Sequence, residues 1–311
     1  MTWRLFLRPK PLFFYTLLSF LYLFTSPVPS KESLPHKMPK VPPKVLVKTQ
    51  DPLLDLKKQL LKDGFDKNKI NQIYSNEKIG FTTRGIYLFF SQFKEAEKKR
   101  NYSQFTQKNA LAKAAKYIQT HNAALTRAEK EFGVDKNIIT AILLVETQLG
   151  TYPMKYLAIN MLSSLAALSD NSLKEKVWLA IPQKWKPEKG KFIKRADTKK
   201  HWAYKELKAL LRYMNKNNLS PEAVKGSYAG AIGYCQFMPT NIPHYAKDGN
   251  NDGKIDLLNH EDAIFSIARY FKKHGWKPDL PPKQKDKVIY KYNHDDHYVA
   301  AIQKISKKLK K

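Results

Sequence analysis

The sequence predicts a mainly α-helical fold, and three observations carry that prediction. Apolar residues recur at helical spacing over most of the chain beyond Asp51. Period-two alternation is scarce, with Val288 to Tyr292 its best example, which leaves room for one small hairpin or C-terminal subdomain. No series of strand, helix and strand is present, so a doubly wound nucleotide-binding sheet is excluded.

Taken in order, the N-terminus carries Arg4, Arg8 and Lys10 and then the uncharged run Leu12 to Phe24, followed by two prolines. That run is short for a bilayer of about 30 Å but suits the apolar region of a secretory signal. Residues 1–26 are therefore expected to be a signal peptide or an N-terminal anchor. Ser26 and Ser30 are small, yet no A-x-A-like cleavage site is present. Residues 27–50 mix Pro with Lys and read as an extended linker. A folded helical domain is expected over 51–305 and a basic tail over 306–311. Within the domain, helices are expected near 107–132, 136–149, 154–169, 199–216 and 261–274. The Lys- and Pro-rich stretch 181–200 reads as a surface insertion holding Trp185 and Phe192. Those two rings suit sugar or nucleic-acid binding, or simply anchor the loop.

Composition narrows the function. Lys and Arg total 56 against 27 Asp and Glu, a net charge of +29, which calls for an anionic partner: nucleic acid, anionic lipid or an acidic wall polymer. With 42% hydrophobic residues the chain is not disordered throughout, and its single cysteine excludes a disulfide framework or a thiolate-rich metal site. Cys235 has no activating His beside it and reads as a buried, inert thiol.

Four segments carry candidate chemistry. Residues 138–145 are apolar almost all round, as in a core helix, and Glu146 interrupts them just before Gly150. A carboxyl held there loses hydration of its ionised form, so its pKa rises and it can deliver a proton near neutral pH, as glycosidic cleavage requires. A glutamate that reaches out from a helix end is the plain alternative. Residues 225–239 hold three closely spaced glycines that permit close backbone approach, around Ser227 and Gln236, the latter a two-way hydrogen-bonding amide. Asp248-Gly-Asn250-Asn-Asp252-Gly253-Lys254-Ile255-Asp256 has the oxygen spacing of an EF-hand loop that wraps Ca²⁺, but its twelfth position is Asn259, so Asp262 is the candidate to supply the missing carboxylate. A metal-free Asx turn has the same composition. Finally, residues 290–298 crowd Tyr290, Tyr292, Asn293, His294, Asp295, Asp296, His297 and Tyr298, a set that suits a sugar cleft or a His/Asp metal site.

These pieces, in this order, resemble the B-type lytic murein transglycosylases, which cut peptidoglycan glycan strands. The resemblance rests on Val145-Glu146-Thr147 with Gly150, on the segment from Gly226 to Leu257, on Asp262-Ala-Ile with Tyr270 and His274-Gly275-Trp276, and on Tyr292-Asn293 with Tyr298. It implies a lysozyme-like helical fold with Glu146 as catalytic acid and base. It also implies structural calcium held by Asp248, Asn250, Asp252, the backbone oxygen of Lys254 and Asp262, and no organic cofactor. Glycan contacts are implied at Ser227, Gln236, Tyr270, Tyr292, Asn293 and Tyr298. The sequence departs from the family pattern at Asp295, where Ser is usual, and at Arg269, where Asn is common.

The expected activity is cleavage of the MurNAc–GlcNAc β-1,4 bond with closure of a 1,6-anhydroMurNAc end, by a monomer in the periplasm or envelope of a bacterium. Expected partners are peptidoglycan strands, cell-wall or divisome proteins and, through the N-terminal segment, the membrane; nucleic acid is not expected. A hydrolytic muramidase, a non-catalytic peptidoglycan-binding protein and a secreted nucleic-acid-binding protein are the competing readings.

Overall fold

The computed structural model describes residues 51–95, 101–152, 154–183 and 186–310, so the expected signal, the linker and Trp185 lie outside the described residues. Thirteen α-helices are described: α1 (Leu54–Lys62), α2 (Lys67–Ser75), α3 (Thr83–Glu95), α4 (Lys108–Thr120), α5 (Asn122–Phe132), α6 (Lys136–Thr147), α7 (Ala158–Ala166), α8 (Asn171–Ala180), α9 (Lys189–Asn217), α10 (Ile242–Tyr245), α11 (His260–Lys273), α12 (Pro282–Tyr292) and α13 (Asp296–Leu309). Two-residue strands, β1 (Tyr156–Leu157) and β2 (Lys225–Gly226), pair antiparallel with Tyr156 opposite Gly226.

Helix α6 is the central element. Every residue from Asn137 to Thr147 is buried, with α4, α5, α11 and α13 packed around it, because its sequence is apolar on all sides. Asp135 starts it by accepting from Asn137 N at 2.8 Å. Gln148, Leu149 and Gly150 end it, with φ of 50°, 63° and 81° in succession. Two of those three are not glycine, so the strained exit from α6 is fixed by its surroundings. A Cβ on Gly150 would lie 2.9 Å from the Tyr234 ring and 3.0 Å from that of His260, which leaves only glycine there. His260 stacks on Tyr234 and accepts or donates at Nδ1 with the Tyr117 hydroxyl at 3.0 Å, tying α4, the 225–239 loop and α11 behind that turn.

Several expectations change in the structure. The single helix expected over 107–132 is two, broken at His121, and the basic stretch 181–200 is only in part a loop. From Lys189 onward it is the start of α9, 29 residues long, capped where the Glu188 carboxylate accepts from Gly190 N. Phe192 is a core anchor at 1% exposure, packed on Phe90, and is not a binding ring. The period-two segment Val288 to Tyr292 is the last part of α12, where Val288, Ile289 and Tyr292 share the buried face. The separate basic tail is the final turn of α13: Ser306 is buried and the Lys310 ammonium pairs with Asp135 at 2.6 Å. Among the described residues no helix is long and apolar enough to cross a membrane.

Candidate active site

Glu146 sits in the last turn of α6 and none of its surface reaches solvent. The Tyr298 hydroxyl, from the first turn of α13, donates to its Oε1 at 2.7 Å, while its Oε2 is buried without a hydrogen-bond partner among the described residues. Burial pushes the carboxyl up to about 8, against the smaller downward pull of the Tyr298 hydrogen bond. At neutral pH Glu146 therefore holds its proton, as its position in an apolar helix predicts. The next residue, Thr147, locks the backbone, donating through Oγ1 to Tyr234 O at 3.2 Å and accepting from Gly150 N at 3.1 Å.

A second layer holds the acid's partner in place. Tyr298 is itself wholly buried, and Tyr102 meets its ring edge-on at 5.8 Å between centroids. The Tyr102 hydroxyl donates to Asp295 Oδ2 at 2.9 Å, and Asp295 Oδ1 accepts from His297 N to cap α13. Asp295, one of the two departures from the family pattern, thus caps the helix that carries Tyr298. Arg269, the other, donates to Ala246 O at 2.9 Å and joins α11 to the end of α10. Among the described residues no group of three or more His, Cys, Asp or Glu is placed to hold an ion, either at 294–297 or in the loop from Asp248 to Asp256.

All six residues expected to contact glycan are buried, and Tyr292 is joined through its hydroxyl to the 225–239 loop at Cys235 O. Ser227 Oγ accepts from Ala229 N and Ala231 N, keeping its own hydrogen free to donate. Gln236, at φ 50°, donates through Nε2 to Gly233 O at 2.8 Å, and Asn293 Nδ2 is buried without a partner among the described residues. Tyr270 and Tyr292 spend their hydroxyls on Lys291 O and Cys235 O, at 2.7 and 2.6 Å, and pack on one another at 4.9 Å. Tyr298 faces the acid and has no open side. The loop is tight: a Cβ on Gly233 (φ 68°) would lie 2.3 Å from Leu257 O. Cys235 is fully buried and burial pushes its thiol far up, so it is no nucleophile.

Sequence reasoning missed three of these parts. Tyr102 lies in a short 3-10 turn region with no periodic signal. Thr147 enters the sequence reading only within the Val145-Glu146-Thr147 match, with no role of its own. Glu206 is a second buried carboxyl, raised by desolvation, whose two oxygens accept from Thr240 N and Oγ1 at 2.9 and 2.8 Å. Its signal was available, since it falls three residues after Ala203 and four before Leu210, on the buried stripe of α9.

The loop from Asp248 to Asp256 lies against the start of α11. Asp262 is 1% exposed, its Oδ1 accepting from Gly249 N at 2.8 Å and its Oδ2 from Asp256 N at 2.7 Å. Asp248 Oδ2 accepts from Gly253 N, Asn250 Oδ1 from Asp252 N, and Asp252 Oδ1 from Lys254 N. Asp248 Oδ1 is buried with no hydrogen-bond partner among the described residues. The donor set is all oxygen, which suits a hard cation, and this orphaned oxygen is the group an ion would satisfy.

With the geometry in hand, comparison with known proteins assigns the family. The model of the transglycosylase SLT domain matches residues 48–287. The chain belongs to this family. Over 153 residues, 49% of its length, the chain is 37% identical to the membrane-bound lytic murein transglycosylase B of Escherichia coli strain K12, and the match spans 35% of that protein's length. Its fold is that of solved lytic transglycosylases. Soluble SltB1 from Pseudomonas aeruginosa superposes with a TM-score of 0.64 at 22% identity, over 83% of this chain and 97% of that one. Escherichia coli Slt35 in complex with calcium does so with a TM-score of 0.61 at 22% identity, over 84% and 93%. Pseudomonas aeruginosa SltB3 in complex with NAG-anhNAM-pentapeptide gives 0.65 at 16% identity, over 84% and 80%. The mainly α, lysozyme-like architecture expected from the sequence is thereby established.

Proposed function

We propose that the chain is a peptidoglycan lytic transglycosylase in which Glu146 acts as both acid and base. The single observation that carries this reading is a carboxyl shut away from water, protonated at neutral pH, with one oxygen held by Tyr298 and the other without a partner among the described residues. Glu146 gives its proton to the oxygen bridging MurNAc to GlcNAc, and the bond from that oxygen to C1 breaks. The substrate's 2-acetamido group stabilises the charge that develops at C1. The resulting carboxylate takes the proton of the C6 hydroxyl of the same muramic residue as O6 bonds to C1. Glu146 ends as it began, one C–O bond has replaced another, and no water is consumed.

Most glycosidases need a second carboxylate as nucleophile or base. Glu206 does not fill that role, since Thr240 occupies both its oxygens. Ser227, Gln236 and Asn293 supply hydroxyl and amide groups for the glycan, with Tyr270 and Tyr292 as packed walls behind them. Digestion of purified sacculi followed by mass spectrometry tests the chemistry. Fragments ending in 1,6-anhydroMurNAc are expected; fragments heavier by one water would assign hydrolysis instead.

The relative of this family known as a calcium complex supports a structural ion in the Asp248 loop. Asp248, Asn250, Asp252, Asp262 and the Lys254 backbone oxygen would hold it, and its charge would clamp that loop onto α11 without taking part in the reaction. Chelation is expected to lower the unfolding midpoint by about 5 °C or more, since saturation at a hundredfold Kd contributes about 2.7 kcal/mol. Asp248→Asn is expected to remove most of that dependence, and scanning calorimetry with and without added calcium measures both. Action at the cell envelope, with residues 1–26 directing export, completes the proposal and agrees with the membrane-bound relative.

A further inference from the structure

We propose that a cavity beside β1 is a carboxylate-binding subsite for the peptide stems of the glycan strand, an inference that rests on the peptidoglycan reading above. The cavity, of about 310 Å³, is lined by Thr82 and Arg84 from the start of α3 and by Lys155, Tyr156 and Met161. Its floor is firm: Met161 is pressed so closely on α3 that a Cβ at Gly85 would lie 2.4 Å from its sulfur. Arg84 and Lys155 are exposed, and neither is paired with a carboxylate among the described residues. Most lysines on this surface only add to a general positive field. These two instead share one concave wall with a phenol ring, and a guanidinium fork beside an ammonium suits a carboxylate.

Its position links the cavity to the glycan site. Lys155 and Tyr156 follow the exit turn of α6, nine and ten residues after Glu146. Tyr156 pairs with Gly226, the residue before Ser227, and its ring meets that of Tyr228 edge-on at 6.4 Å. Tyr152, 37% exposed, stands near enough to act electrostatically on Tyr156, as does Arg84. A strand seated at Ser227 would therefore carry its muramic substituents past a wall bearing two unpaired cations. Peptide stems hang from the muramic lactyl group and end in, or branch with, free carboxylates, whereas strands stripped of stems offer none.

The test is calorimetric binding to two sets of oligosaccharides, stem-bearing and stem-free, using the full chain with Glu146→Gln so that neither set is cut. That protein is expected to bind the stem-bearing set more tightly. Adding Arg84→Ala and Lys155→Ala is expected to weaken stem-bearing binding about tenfold more than stem-free binding, since each exposed ion pair is individually weak. High salt is expected to erase the preference in the same way. Lys155→Glu alone, an exposed change with little effect on folding, is expected to reverse the sign of its contribution. A stem preference that survives the double substitution, or equal losses on both sets, would overturn the subsite. If the unsubstituted chain released no fragments from sacculi, the catalytic reading would fall while this binding difference would still decide the subsite.

Discussion

Glu146→Gln is expected to leave glycan binding nearly intact and to cut release of anhydro-ended fragments by at least a hundredfold, up to about ten-thousandfold, the range that a positioned acid and base contributes. The same substitution makes a second, independent prediction about stability. The Glu146 carboxyl is raised to about 8 in the folded protein, whereas an exposed glutamate titrates near 4.5. Between those values the native state holds a proton that the unfolded chain has lost. Stability contributed by the neutral buried acid is thus fully present below about pH 4.5 and declines as pH rises toward 8, with a slope approaching about 1.4 kcal/mol per pH unit. The glutamine has no proton to lose. Glu146→Gln is therefore expected to be more stable than the parent at pH 8 by a few kcal/mol, with the gap closing toward pH 4.5. Glu206 and Asp262, also raised by burial, stay in both proteins and cancel from the comparison. Urea unfolding at pH 5 and pH 8 measures the gap; a parent and variant that lose stability in parallel would show that Glu146 is not the titrating group.

Why was this acid legible in the sequence while its supports were not? A charged residue at the end of an eight-residue apolar run stands against a uniform background, and the cost of desolvating it follows from that position alone. The buried helix, its glycine stop and the loop with EF-hand spacing are all local patterns, written within about a dozen consecutive residues. Tyr102 and Tyr298 are 196 positions apart and meet only because α13 packs on both α6 and the turn before α4. The long α9 shows the opposite failure. Its first turns are rich in lysine and follow a proline, so composition suggests a loop, yet Phe192, Ala196 and Ala203 keep a buried stripe that tertiary packing rewards. Val288 to Tyr292 alternates by chance over five residues, a window too short to separate period two from the helical face it occupies. Family resemblance names Tyr298 among residues expected to contact glycan, but its hydroxyl is spent on Glu146 Oε1, a pairing across 152 positions that no local pattern announces.

Tyr298→Phe isolates that role. The change removes one oxygen and keeps the ring that packs edge-on against Tyr102, so the core loses little volume. What it removes is a donor to Glu146 Oε1, leaving both carboxyl oxygens without a protein partner among the described residues. The hydrogen bond lowers the Glu146 pKa because it favours the ionised form. Without it the carboxyl is expected to titrate above 8, so the alkaline limb of the pH–rate profile moves to higher pH. The plateau rate is expected to fall by about ten- to a hundredfold, as loss of about 1.5–3 kcal/mol from a hydrogen bond to a charged group implies. The reason lies in the second half of the reaction, where Glu146 must exist as a carboxylate to take the C6 proton and has lost the one group that stabilises it. Because the same carboxylate also carries the raised charge cost in the folded state, the variant should lose stability more steeply than the parent at high pH. A merely structural tyrosine would lower the rate through partial unfolding and leave the limb in place. A shifted limb, with a midpoint loss at pH 5 no larger than one buried hydrogen bond accounts for, is the signature of an acid tuned by its neighbour.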